Sequence, residues 1–342
     1  MTTSIRSLRA LALAALLASS SGAQAVQQIV MVIPRPARNT EAAFQNFLRN
    51  RGVQAEYTIV TYSGRPQDGP ALVDKLRSLK PDLIYSWGEP TTLAVAGTAA
   101  TPRPQDFIRD TPIVFAEVAD PVASKLVESL ERPGRNLSGV SHVAPLAAQM
   151  RALRSFAEFR KLGYVTNPRD PLSLAVRAEL QRSAARHGFE LIDEVVPYDG
   201  TGQPNAHLLR QTISKVAARG ADFLYIGPGA LLSFTLRDVV TGAALDAKLP
   251  TFCATENATG SPPRCLFGLL PSSPYAGRLA AYKAAQVLID RKPIASLPIE
   301  TLDRFTLFIN MPVALALEKY PPLELLDAAE LIGARTAPAR ER

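Results

Sequence analysis

Seven consecutive residues, Ser86-Trp87-Gly88-Glu89-Pro90-Thr91-Thr92, gather in one turn most of what a small polar ligand would need. Gly88 permits a tight bend and Pro90 suits the first turn of a helix. Thr91 and Thr92 place hydroxyls beside that helix's free N–H groups, where carboxylate or phosphate is attracted. Glu89 is either a ligand contact, suited to an amine or hydroxyl, or a charge that complements the helix dipole. Trp87 is either a stacking platform or a packed core aromatic.

Further candidates follow other apolar runs. Arg35, after Ile33-Pro34, has the forked geometry to pair with a carboxylate, or is a solvated loop arginine. Glu117 and Asp120 follow Ile113-Val114-Phe115, and Asp120 reads as the cap of a helix starting at Pro121. Asn167, in Thr166-Asn167-Pro168, can donate and accept, which suits an amide or carboxylate as well as a plain turn. In Tyr225-Ile226-Gly227-Pro228-Gly229 the glycines allow close approach of the backbone.

Catalytic signatures are missing. His142, His187 and His207 neighbour no plausible nucleophile or second ligand, and no G-x-S-x-G, H-E-x-x-H or G-x-x-x-x-G-K motif occurs. We therefore expect no catalytic residues, no metal site and no cofactor. The two cysteines, Cys253 and Cys265, read as one disulfide of an exported protein, worth roughly 3 kcal/mol in the loop-entropy picture. Two buried free thiols are the alternative, and a zinc site lacks further clustered ligands.

Elements of two alternating periods must position these residues. Strands are expected at 28–33, 56–62, 83–86 and 113–115, interleaved with helices near 39–51, 67–79 and 90–99 and one starting at Asp120. A second series has helices at 145–159, 171–187, 204–219 and 231–247, and strands at 161–166, 189–196, 222–226 and 251–254. Segments 137–140, 266–270 and 305–309 are short apolar runs between the two series. Alternation of this kind predicts parallel sheets covered by helices on both faces, with ligands beyond the carboxyl ends of the strands.

The first residues carry an address. Arg6 and Arg9 flank the start of a short apolar run, Leu8 to Leu17, and Ala23-Gln24-Ala25 follows. This reads as a secretory signal cleaved after Ala25, with too few apolar residues to span a membrane. Hydrophobic residues make up 47% of the chain, enough for two cores, and the formal net charge is +7. Lys and Arg are scattered without a run of five, so no nucleic-acid surface is expected.

The stretch Pro112 to Ser141, PIVFAEVADPVASKLVESLERPGRNLSGVS, together with Asn167-Pro168, PTFCATE at 250–256, RFTLFIN at 304–310 and PPLELLDAAELI at 321–332, resembles the ABC-transporter substrate-binding protein family, whose members include tryptophan- and amino-acid-binding lipoproteins. The resemblance implies an α/β fold of two doubly wound parallel-sheet lobes joined by a multi-strand hinge, the type I periplasmic-binding arrangement. The expected division is a signal peptide at 1–25, one lobe at 26–138 with 271–303, the other at 139–270 with 304–334, and a tail at 335–342. It also implies a periplasmic, monomeric protein that captures an amino acid, or an aromatic or small organic acid, for an ABC-type permease. An exported α/β hydrolase and a sensor for a membrane receptor are the alternatives. Thr255-Glu256 resembles the family's cleft-facing pair, here inside the loop between the cysteines. Four departures stand out: no cysteine for lipid attachment follows Ala25, Arg135 stands where glycine is common, Glu318 where Leu-Gly is common, and Glu89 takes the threonine's place in the family's Gly-Thr-Pro-Ala turn.

Overall fold

The computed structural model describes residues 26–255 and 265–333. The expected signal peptide, its cleavage point, Glu256 and the tail lie outside these residues. The first sheet contains β1 (Gln27–Ile33), β2 (Ala55–Thr61), β3 (Leu83–Trp87), β4 (Ile113–Val118), β5 (Leu137–Ser141) and β11 (Glu300–Thr301), in the order β11-β5-β4-β3-β1-β2. All its neighbours pair parallel. Helices α1 (Asn39–Asn50), α2 (Gly69–Leu79), α3 (Glu89–Ala96) and α8 (Ser273–Leu288) accompany it. β3, β4 and β5 are buried along their whole length, as the central strands of a sheet covered on both faces must be. Two cores result, one against each face: one gathers Ile29, Met31, Phe44, Tyr85 and Ala280, the other Val30, Val32, Leu76, Phe115 and Leu126.

The second sheet orders as β13-β12-β10-β9-β8-β6-β7. Its strands are β6 (Lys161–Thr166), β7 (Glu190–Val195), β8 (Phe223–Ile226), β9 (Thr251–Cys253), β10 (Phe267–Pro271), β12 (Phe305–Asn310) and β13 (Glu330–Ile332). β12 pairs antiparallel with β10 and parallel with β13, so these two run against the rest. The helices are α4 (Leu146–Phe156), α5 (Pro171–His187), α6 (Ala206–Ala218), α7 (Arg237–Asp246), α9 (Met311–Leu317) and α10 (Leu323–Ala328). The chain passes between the sheets three times: after Ser141, between Pro271 and α8, and between Thr301 and Phe305. β5 thus stays in the first sheet through Ser141, three residues past the expected boundary, because Gly139 still pairs with Phe115.

Some local expectations change. No helix follows Asp120; residues 121–125 form turns. The cap itself is present, since Asp120 Oδ1 accepts from the N–H of Val122 at 3.0 Å and Ala123 at 2.9 Å. Lys125, at φ 58°, then turns the backbone into the left-handed region, where an α-helix cannot continue. The helix expected over 231–247 opens instead as a π-helical turn, Leu231–Thr235, and becomes α-helical only at Arg237. Cys253 and Cys265 are bonded, with Cα atoms 6.3 Å apart, tying the end of β9 to the residues entering β10. Arg135 does more than shape a local turn. Its guanidinium donates to the carbonyls of Ala96, Gly97 and Leu126, closing the C-terminus of α3.

Candidate functional site

β1, β2, β3 and β4 are parallel, so their carboxyl ends open on one side of the first lobe. The turns after them supply one wall of a cavity of about 250 Å³: Pro34 after β1, Ser63 to Arg65 after β2, Gly88 to Thr91 after β3, and Glu117 and Ala119 around the end of β4. The opposite wall comes from the second lobe, through Pro228, Ala230, Phe234 and Thr235 beyond β8. His142, on the first passage between the sheets, completes the lining. The cavity therefore lies between the lobes.

Two of its lining rings, one from each lobe, pack against one another. Trp87 and Phe234 have ring centroids 6.3 Å apart with planes tilted by 53°. Trp87 is 7% exposed, and its indole Nε1 is buried without a hydrogen-bond partner among the described residues. The guanidinium of Arg35 lies 4.4 Å from the Trp87 ring centroid. Arg35 is itself held by Glu41 at 3.0 Å, and Glu41, fully buried, also accepts from the Tyr85 hydroxyl at 3.1 Å. This stack fixes the indole plane from behind, a cation–π arrangement strengthened by burial.

The carboxyl groups are arranged differently from what the charge of the whole chain suggests. Glu89, the first residue of α3, is half-buried, and its Oε2 is buried with no hydrogen-bond partner among the described residues. Burial, then the nearby charges of Asp170 and Asp120, push its carboxyl up to about 8. Asp170 belongs to the other lobe, where it caps α5 through the N–H of Leu172 at 2.9 Å, and burial raises its carboxyl as well. Glu117 sits at φ 62°, at an irregularity in the β4–β5 ladder, a conformation that costs a non-glycine residue about 1 kcal/mol or more. Its side chain lies 3.4 Å from the Thr40 hydroxyl and 3.9 Å from His142 Nε2. Burial lowers His142 to about 4, which keeps the ring neutral near pH 7.

Of the residues singled out in the sequence, Trp87, Gly88, Glu89, Pro90, Thr91 and Glu117 come together in this cavity. Arg35 does not line it, being committed to Glu41 and the back of Trp87. Ser86 and Thr92 turn inward: their hydroxyls are 2.9 Å apart and Thr92 donates to the Gly88 carbonyl at 2.8 Å. Asn167 and Gly227 border a separate small hollow in the second lobe, together with Asp170. The Asn167 carbonyl oxygen accepts from the Tyr198 hydroxyl at 2.7 Å and the Arg169 N–H at 3.1 Å, so it builds a turn. Tyr225 donates to Gln149 at 2.8 Å and borders another part of the interlobe space. Thr255 is buried beside the disulfide, away from the cavity. Arg65 and Phe234 were not anticipated. Arg65 obeys the same strand-end rule that picked out Gly88, whereas nothing in the sequence pattern marks the π turn carrying Phe234.

Two parallel-sheet α/β lobes, exchanged three times along the chain and enclosing a lined cavity, define the type I periplasmic-binding architecture. The model of the ABC transporter substrate binding protein family matches residues 26–330, and the chain belongs to that family, whose members are solute-binding proteins and not enzymes. A "Tyrosine-binding protein" of Clostridioides difficile (strain R20291) is 26% identical over 252 residues, covering 72% of this chain and 66% of that protein, just under two thirds of its length. A conserved domain protein from Vibrio cholerae has the same fold, with a TM-score of 0.75 at 22% identity, covering 90% of this chain and 99% of that one. So has an ABC domain in complex with L-Trp from Streptococcus pneumonia, with a TM-score of 0.75 at 17% identity, covering 90% of this chain and all of the other. Substrate-binding proteins of this kind work outside the cytoplasmic membrane, and no helix among the described residues is long and apolar enough to cross one.

Proposed function

We propose that this protein captures an aromatic amino acid or a close analogue between its lobes and delivers it to an ABC-type permease from the periplasm. The observation that carries the reading is the Trp87–Phe234 pair, one ring from each lobe, flanking a cavity that also holds the buried carboxyl of Glu89. The cavity is smaller than the roughly 300–1,000 Å³ usual for drug-sized ligands, which fits a single small solute. The tyrosine and tryptophan in the descriptions of the two relatives support the same class.

An amino acid's carboxylate would face the N–H groups at the start of α3, the Thr91 hydroxyl and Arg65. The units that close on it are residues 26–141 with 272–302 and residues 142–271 with 305–333, moving about the three passages between them. A ligand that touches both lobes favours the closed population, which is the form a permease would engage. Isothermal calorimetry against the twenty amino acids tests this reading. Binding confined to tyrosine, tryptophan or phenylalanine is expected, and tight binding of a sugar or an aliphatic organic acid instead would overturn it.

A further inference from the structure

The space between the lobes does not end at the cavity beside Trp87. A second chamber of about 330 Å³ adjoins the first of about 250 Å³, and the two share Ala119 from one lobe and Pro228 from the other. A single amino acid held against Trp87 leaves this chamber unused. Leu172 and Val176 of α5 give it an apolar side, and among the described residues its charged lining is acidic, Asp120 and Glu179. Its buried polar wall is an amide. Gln149, 1% exposed, accepts from the Tyr225 hydroxyl at 2.8 Å and donates one N–H to the Ala144 carbonyl at 2.7 Å. That carbonyl can only accept, which fixes the amide's orientation. The second N–H of Gln149 is left without a hydrogen-bond partner among the described residues. A buried donor in this state carries a desolvation cost that an incoming carbonyl relieves.

We propose that the cleft takes a dipeptide ending in an aromatic residue in preference to the free amino acid, with the ring and carboxylate in the first cavity and the leading residue in the second chamber. The inference rests on the function proposed above and extends its ligand class to dipeptides that end in tyrosine or tryptophan. The two linings set the direction. The carboxylate belongs with Arg65, Thr91 and the free N–H groups of α3, as it does for a single amino acid. A chamber whose charged residues are both acidic repels a carboxylate and tolerates an amino end. The chain of the ligand therefore extends from its amino side, past the short side chains of Ala119 and Pro228. The peptide carbonyl takes up the unspent N–H of Gln149, and Leu172 and Val176 receive the leading side chain. An apolar leading residue gains the most from that contact.

The test is calorimetry on the whole mature protein with L-tyrosine, L-alanyl-L-tyrosine, L-leucyl-L-tyrosine, L-tyrosyl-L-alanine and L-alanyl-L-alanine. Alanyl-tyrosine should bind about tenfold more tightly than tyrosine, and leucyl-tyrosine more tightly again. Tyrosyl-alanine, extended on the carboxyl side, should bind about thirtyfold or more weakly than alanyl-tyrosine. Ala147, at the start of α4, is exposed and lines the second chamber, so a large side chain there fills the chamber without entering a core. Ala147→Trp should erase the dipeptide's advantage while tyrosine binds within about twofold of wild type. The readout is the ratio of the two affinities, which a general loss of folded protein does not move. Alanyl-tyrosine binding no more tightly than tyrosine, tyrosyl-alanine binding as well as alanyl-tyrosine, or a ratio unchanged in Ala147→Trp would each overturn the inference while leaving the aromatic reading standing. Alanyl-alanine binding as tightly as alanyl-tyrosine would remove the aromatic class and with it this inference. No binding by any of these compounds would sink both.

Discussion

The two walls of the cleft are unequal. The first lobe contributes four strand-end turns, with Trp87, Glu89, Thr91, Glu117 and Arg65 among their side chains. The second contributes Pro228, Ala230, Phe234 and Thr235, a mostly apolar surface on one loop and a π turn. On the proposed reading, the chemistry that discriminates between solutes sits mainly on one lobe, and the other supplies a ring and a cover. Such a division favours a sequence in which the ligand first docks on the first lobe and the second then closes over it. It also makes the first wall stiff: the Glu41–Arg35–Trp87 stack and the Ser86–Thr92–Gly88 hydrogen bonds hold its turn from behind.

The comparison is broken most severely by Trp87→Ala. If the first wall dominates recognition, affinity should fall by about a hundredfold or more, and stability by about 3–5 kcal/mol because the indole is buried. Calorimetry and thermal melts read the two separately. Phe234→Ala should cost about tenfold in affinity and little in stability, since that ring is only half-buried. A Phe234 effect as large as that of Trp87 would show that the lobes share recognition equally.

A smaller effect concerns the ligand-free protein. Glu89 binds a proton more tightly folded than unfolded, so the stability this provides is full below about pH 4.5 and is lost as pH rises toward 8. His142 has the opposite sign: folded it resists protonation, and stability is lost as pH falls from 6.5 toward 4. The slopes oppose below about pH 6.5, and above it the contribution of Glu89 is no longer offset by His142. The melting temperature of empty wild-type protein should therefore decline from pH 6.5 to 8, by no more than about 1.4 kcal/mol of stability per pH unit. Glu89→Gln should flatten that decline, and an unchanged slope in this variant would mean another group is responsible.

The smallest effect on binding is expected at Asn167. Because its carbonyl oxygen serves Tyr198 and the Arg169 N–H, Asn167→Ala should leave affinity within about twofold and lower stability by about 1 kcal/mol. A large affinity loss without destabilisation would place the second lobe's turn in the cleft and weaken the contrast between the walls.

How much of this was legible in the sequence depended on whether the signal was local. β6 and α5 fall where the pattern puts them, because Asp170 caps, Pro171 starts and Gly188, at φ 69°, ends the helix within one stretch of chain. The Asp120 cap was equally visible, but its helix fails on the left-handed turn at Lys125, which lysine does not announce. The strand-end rule found Gly88, Glu89, Thr91 and Glu117. It also proposed Arg35, which is diverted by Glu41, a partner whose burial only the packing of α1 against the sheet reveals. Phe234 is invisible for a related reason: its position depends on a π turn that re-aims a ring from a segment with ordinary helical composition.

The single tryptophan of the chain, Trp87, is a wall of the cleft. Under the proposed function its surroundings change when a solute arrives or the opposite lobe approaches, and with an indole-free ligand such as tyrosine no second indole dilutes the signal. The protein thus carries its own optical reporter: selectively excited intrinsic emission comes wholly from the recognition wall. Occupancy and closure become observable in real time on unlabelled, unmodified protein, with Phe234→Ala separating the contribution of the approaching ring from that of the solute.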